Sequence, residues 1–417
     1  MSTHDTRAAR SHTRRGTIYV LVLSIAGLLA AIAVGAGAYT TAETRRAREM
    51  EASGVATAAA QSALEATVGM IQADRTGEDW KPRAGLAGFD DRRSLGDAAV
   101  SVGVSSSDGT TPLTDWSGSV YIDAVAWHRG WEHRLRATLE PVVANLAALG
   151  HPLVVGGNIT VTGTTLAGQG VAITNGTIEG ISAQVGLEVH AATATGSTFA
   201  ITPTIRTEPI ALPDPSFISS YLARATVIEI AQIPSQTIVN AVLSSGRNPY
   251  GMTNPSGIYA VRCNGLDITI SNARVVGTLI LINAGSGSKI KDRVFFEQAA
   301  TNQPVLLVDG SIQIQTESND LSEASIATNL NSTGAPFRGA TDSDTTDFYP
   351  SIFEGIVYVS GNVASSGSTT IEGSLIVGGT VTITGPVSVR PFAPAALVDG
   401  MTEVARWRLL GIERLTR

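Results

Sequence analysis

The chain is short of the residues that most catalytic and nucleic-acid-binding domains are built from. It has a single cysteine, Cys263, so no intrachain disulfide and no cysteine-rich zinc site can form, and a lone thiol is read as a small buried core residue. Aromatic residues make up only 5% of the chain and charged residues 16%, with lysine especially scarce. The formal charge of −7 denies it the basic surface that phosphate neutralisation needs, which excludes a nucleic-acid partner. What remains plentiful is glycine together with Val, Ile and Thr, the composition of many short strands joined by tight turns. At 417 residues there is room for two or three cores.

Catalytic signatures are missing as well. His128, Glu132 and His133 stand in the order H-x-x-x-E-H, which matches neither metalloprotease pattern, and the stretch reads as a hairpin on which neighbours point to opposite faces. The acidic residues Glu179, Asp267 and Glu372 are scattered, so no carboxylate pair is nominated. There is no G-x-S-x-G elbow and no phosphate-binding glycine loop. Asp342, Asp344 and Asp347 fall in a polar stretch, but Asp347 sits where the calcium-binding EF-hand needs its glycine. A solvated acidic loop is the default there and calcium the alternative. No catalytic residue, cofactor or metal ligand is assigned.

The one long hydrophobic run is near the start. After a polar leader, 1–16, carrying Arg7, Arg10, Arg14 and Arg15, the segment from Thr17 to Tyr39 holds no charge. At about 1.5 Å per residue it spans a ~30 Å hydrocarbon core, and the basic leader keeps the N-terminus cytoplasmic. Arg45, Arg46 and Arg48 on the far side are offset by Glu43, Glu49 and Glu51. Two other readings stay open: a secretory signal cleaved at Ala36-Gly37-Ala38, and a twin-arginine signal beginning at Thr13-Arg14-Arg15. A retained anchor is favoured because Ala/Glu/Arg-rich, proline-free sequence continues to Ala73, with Met50, Val55, Leu64, Val68 and Ile71 near helical spacing.

Arg14-Arg15-Gly16, the uncharged run and the Ala-rich helix together resemble the N-terminus of type IV pilin-related proteins, chiefly PilX-type minor pilins and K-type pseudopilins. The resemblance covers roughly the first 75 residues. It implies cleavage by a prepilin peptidase after Gly16, methylation of Thr17, and pilin or pseudopilin subunits as partners beside the lipid bilayer. The family's glutamate five residues past the cut is replaced here by Leu21, which fits minor members and not routine polymerisation.

Beyond a Gly/Asp/Arg-rich connector at 80–97, alternation at Ala99–Val104 and from Val120 predicts a small antiparallel sheet within 76–150, with a hairpin turn at Arg129-Gly130. From 151 to 394, short Val/Ile/Thr runs with Gly/Asn corners predict a parallel β-helix-like solenoid, with an antiparallel sandwich as the alternative. Insertions are expected near 213–225, as a short helix, and 316–350, as a surface loop; 395–417 reads as an amphipathic helix covering the solenoid edge. The expected architecture is therefore an α+β N-terminal part, a long membrane helix plus small sheet, followed by an all-β solenoid. The expected function is that of a non-enzymatic, single-pass envelope protein with its body periplasmic or extracellular. A membrane-tethered polysaccharide-acting enzyme and an exported soluble structural protein are the alternatives.

Overall fold

The N-terminal run and its continuation form one uninterrupted helix, α1, Thr13–Ala73. The computed structural model describes residues 13–73, 92–106, 119–196, 199–391 and 396–415. Arg7, Arg10 and the part of the connector before residue 92 lie outside these. The chain divides into two units, Met1–Val142 with Val404–Arg417, and Val143–Glu403.

In the first unit, strands β1 (Arg93–Leu95), β2 (Ala98–Ser106), β3 (Val120–His128) and β4 (Trp131–Asn145) run in sheet order and pair antiparallel. Arg129 and Gly130, both at positive φ (47° and 85°), close the β3–β4 hairpin; this is the two-residue turn whose twist matches the strands it joins. The period of two is physical: Val120, Ile122, Ala124 and Ala126 on β3 are buried, while Tyr121 and Asp123 lie on the other face. There Asp123 opposes Arg136 and takes two hydrogen bonds from it, at 2.7 and 2.8 Å.

The helix packs on this sheet through its second half. Ala52, Ala56, Ala59, Ala60, Leu64, Val68 and Ile71 are buried at spacings of three and four. The alanines let the sheet approach closely, and Leu64 and Ile71 enter one cluster with Val104, Ile122 and Leu139. Each of these larger side chains contributes about 1.5–3 kcal/mol on burial. Of the stripe read from sequence, Leu64, Val68 and Ile71 hold, whereas Met50 is 74% exposed.

The C-terminus departs from expectation. Residues Thr402–Arg414 are a strand beside β4, not an amphipathic helix over the solenoid edge. Trp407 joins the Leu64–Ile71 cluster, and Arg408 pairs with Glu140 on β4. Apolar residues at helical spacing were outweighed by an open strand edge: β4 offers a row of unpaired N–H and C=O groups that a strand satisfies and a helix does not.

The second unit is a solenoid. Among the described residues its main sheet has 22 strands, and they pair in parallel, as where Phe353–Val359 lies on Ile371–Val377, which excludes the antiparallel sandwich. Inward side chains stack coil on coil: Val261, Leu281, Val308, Val359, Val377 and Val155 form one column of like-sized residues. Phe296 stacks on Phe353 with ring centroids 5.0 Å apart. At corners, Asn158 and Asn362 accept from the backbone N–H of Thr177 and Thr380 in the next coil, at 2.9 and 2.8 Å. Cys263 is fully buried in this core, where burial pushes its thiol up to about 11.

The coils are not stacked in chain order. Strand Leu153–Val155 lies on Leu375–Val377, so the first coils extend the stack from its last ones. After strand Thr204–Ile205 the chain returns to the far end, Thr226–Glu229, and builds back toward the middle. The chain thus joins and leaves the solenoid at adjacent points, where Leu146 N–H donates to Met401 O at 2.9 Å and Asn145 to Ala396 O at 3.0 Å. That adjacency is the condition for inserting a whole domain between two neighbouring strands of another. Outside the coils, helix Ile218–Leu222 covers outward residues, with Phe217 and Tyr221 packed on Tyr358, Ile356 and Ile376.

Candidate functional site

The sequence points to the first half of α1 as the functional element. Gly16 and Thr17, the candidate processing site, lie inside the helix. From Tyr19 onward the apolar side chains are bare: Tyr19 is 78% exposed, Leu23 77% and Val34 72%. Leu21 is exposed among them. The helix is long and apolar enough to cross a membrane. Ser24 donates its hydroxyl to Val20 O and Thr41 to Gly37 O, at 2.8 and 2.7 Å, so neither presents a free donor to hydrocarbon. Charge begins past Tyr39, as local pairs Arg46–Glu43 and Arg45–Glu49. One helix therefore has two environments, naked and uncharged first, then sheet-covered.

The histidines near the hairpin do not converge on a common ligand. His128 Nδ1 meets Asp97 O at 2.8 Å, His133 Nε2 meets Ser53 Oγ at 3.0 Å, and Glu132 accepts from the Trp127 indole and from Arg134. Burial, then the charge of Arg414, holds the His133 pKa below its ordinary value, and its contact with Ser53 buttresses the packing of helix on sheet.

The expected loop at 316–350 proves to be a packed flap. Strands Leu321–Ser322 and Phe348–Tyr349 pair, and Leu321, Leu330, Ala335 and Tyr349 close over Val242 and Phe295 on the outer solenoid face. Between Val242 and Phe295 in register lies Arg274, fully buried. All five of its N–H donors are used: Nε and Nη2 reach Glu297 at 2.7 and 2.5 Å, Nη1 reaches Leu330 O and Ala335 O at 2.8 Å, and Nη2 reaches Pro336 O at 2.6 Å. Burial pushes the Glu297 carboxyl above the usual carboxylate range, against the opposing pull of Arg274.

The flap gathers the acidic residues that the sequence singled out, plus one it did not. One carboxylate oxygen each of Glu323, Asp342 and Asp344 lies within 4.8 Å of the other two. Asn331 donates to Asp342 and Asp347 at 3.0 and 2.6 Å. Burial, then the Asp342 carboxylate, raises the pKa of Asp347. Glu323 escaped the sequence reading because it lies outside the Asp-rich run and is brought in by the fold.

A second row was also hidden. Glu297, Glu354 and Glu372 stand in register on successive coils, with Arg390 beyond them. Only their spacing across coils, which the chain order conceals, aligns them.

No family model and no curated protein matches this chain. Among solved structures it is similar to the competence-associated pilin ComZ from Thermus thermophilus, with 12% identity and a TM-score of 0.24, over 87% of this chain and 97% of that one.

Proposed function

We propose that the chain is a non-enzymatic, membrane-anchored envelope protein of the minor pilin or pseudopilin kind, displaying its solenoid for filament or secretion-machine assembly or for adhesion. The observation that carries this reading is the division of α1: an exposed, uncharged half able to cross lipid, continuous with a half held by an antiparallel sheet. Arg14 and Arg15 precede the span, which favours a cytoplasmic N-terminus and an outward body. The Arg15-Gly16-Thr17 junction supports processing by a prepilin peptidase, and Leu21 supports a minor, non-polymerising role. Pilin-related subunits are the partners this helix suits.

Charge placed at the middle of the span tests the anchor. Leu28→Arg is expected to cost about 2.5–3.5 kcal/mol of insertion free energy and to move much of the protein out of the carbonate-resistant membrane fraction. Leu28→Ala is expected to leave it there. Wild-type protein released by carbonate would overturn the reading.

The glutamate row favours a second reading, a tethered enzyme acting on polysaccharide. Against it, the row is engaged at both ends, Glu297 by Arg274 and Glu372 by Arg390 at 3.2 Å. Polysaccharide turnover by the full chain, lost in Glu354→Gln, would establish the enzyme and displace the proposal.

A further inference from the structure

We propose that the flap between Leu321 and Tyr349 is a calcium site, with Glu323, Asp342 and Asp344 as the carboxylate ligands and Asn331 beside them.

The carboxylates are close enough to share one ion. Two oxygens bound to the same calcium at about 2.4 Å can be at most about 4.8 Å apart, and the oxygens of Glu323, Asp342 and Asp344 meet that limit. Their charge is not otherwise balanced: among the described residues, no Lys, Arg or His forms an ion pair with Glu323, Asp342, Asp344 or Asp347. Four carboxylates gathered without a cation repel one another, and a divalent ion is the simplest thing that removes the repulsion.

Burial supplies an independent reason. Glu323 is fully buried. Its Oε1 accepts from Leu330 N–H and the Tyr349 hydroxyl, at 2.5 and 2.8 Å, while Oε2 has no partner among the described residues. A buried carboxylate oxygen with nothing to bind is expensive, and ordinarily has a metal, a proton or a donor. Asn331 is only 3% exposed, and its Oδ1 is orphaned too, as is that of Asn329. Both amides turn their Nδ2 toward Asp342, at 3.0 Å each. They act there as weak positive partners; a half-turn of either amide would present its free oxygen instead, once a cation replaces the donation.

The donor set selects the ion. It is all oxygen, mixed carboxylate and amide, with no imidazole or thiol, which suits a hard cation and not zinc. It is assembled from an irregular loop, and calcium tolerates irregular six- to eight-fold coordination where magnesium demands a near-ideal octahedron. Binding would tie Glu323, at one edge of the flap, to Asp342 and Asp344 in its exposed crest, closing the flap over Arg274.

The test uses the full chain in detergent, stripped with a chelator and titrated with calcium chloride by calorimetry, with magnesium chloride in a parallel titration. A single saturable site for calcium, at least tenfold weaker for magnesium, is expected. At calcium ten times its Kd, protease cleavage within 321–349 should slow about tenfold, since opening is suppressed by the factor one plus concentration over Kd. Asp344→Asn, at an exposed position where the Thr346 contacts can persist, should weaken binding at least tenfold while the unliganded protein keeps its fold. Glu323→Gln should do so more strongly. Absence of calcium binding at millimolar concentration would overturn the proposal. So would binding that Asp344→Asn and Glu323→Gln both leave unchanged, or magnesium binding as tight as calcium.

Discussion

Replacing Arg274 with methionine is expected to release the flap from the solenoid and lower stability by about 3–5 kcal/mol, the range for removing one partner of a buried ion pair. Three consequences add together. Glu297 keeps a partly buried carboxylate with its guanidinium gone, the carbonyls of Leu330, Ala335 and Pro336 lose their donor, and the rings of Phe337 and Tyr349, each 5.2 Å from the guanidinium carbon, lose a cation. Urea unfolding of the full chain in detergent should show a lower midpoint, and limited proteolysis should show new cuts between 321 and 349. Lysine should not rescue, because one ammonium cannot serve Glu297 and three carbonyls set around a planar fork. Arg274→Met combined with Glu297→Gln should recover part of the loss. A stability change within about 0.5 kcal/mol, the range of ordinary surface substitutions, would contradict this role.

The second large effect is expected at a glycine with no positive φ to explain it. Gly373 lies in register on Gly355 of the coil before, and a Cβ there would stand 1.8 Å from the Gly355 carbonyl oxygen. Backbone, not a flexible side chain, is what it meets, so the two coils must separate. Separation weakens the ladder hydrogen bonds and the packed column on both sides. Gly373→Ala should therefore cost about 3 kcal/mol or more, at the upper end of overpacking effects. Gly180 is the control, since a Cβ there has nothing within 4 Å. Gly180→Ala should be neutral or stabilising by up to about 1 kcal/mol through the unfolded chain. Thermal unfolding of the two variants side by side decides the matter: equal midpoints would mean the coils are not stacked in this register.

These cases show where sequence stops being informative. Local signals were readable: the uncharged run that becomes α1, the alternation of β3 and β4, Arg129-Gly130 at the turn, and the glycine and asparagine corners of a parallel solenoid each express a short-range preference. Which coil lies on which was not readable, because the chain starts its stack in the middle and the contact of Val155 with Val377 has no local signature. For the same reason Gly373 and Gly180 look alike in the sequence and differ in the fold. The C-terminal strand has no local signature because its partner edge on β4 lies far away in the chain. The flap looked like a solvated loop by composition. Its few apolar residues, Leu321, Leu330 and Tyr349, gain their meaning only from the outward Val242 and Phe295 beneath them. Arg274 and Glu323 carry no signal of their own in the sequence, because a buried charge is recognised by what surrounds it, and their partners come from 23 and 26 residues away.

The proposal rests on α1 being a retained anchor, and the mass of the mature N-terminus tests it most directly. Protein recovered from membranes and analysed intact by mass spectrometry should begin at Thr17, carrying one methyl group, with the run to Tyr39 still attached. A mature chain beginning at Tyr39, and found outside the membrane, would contradict the account.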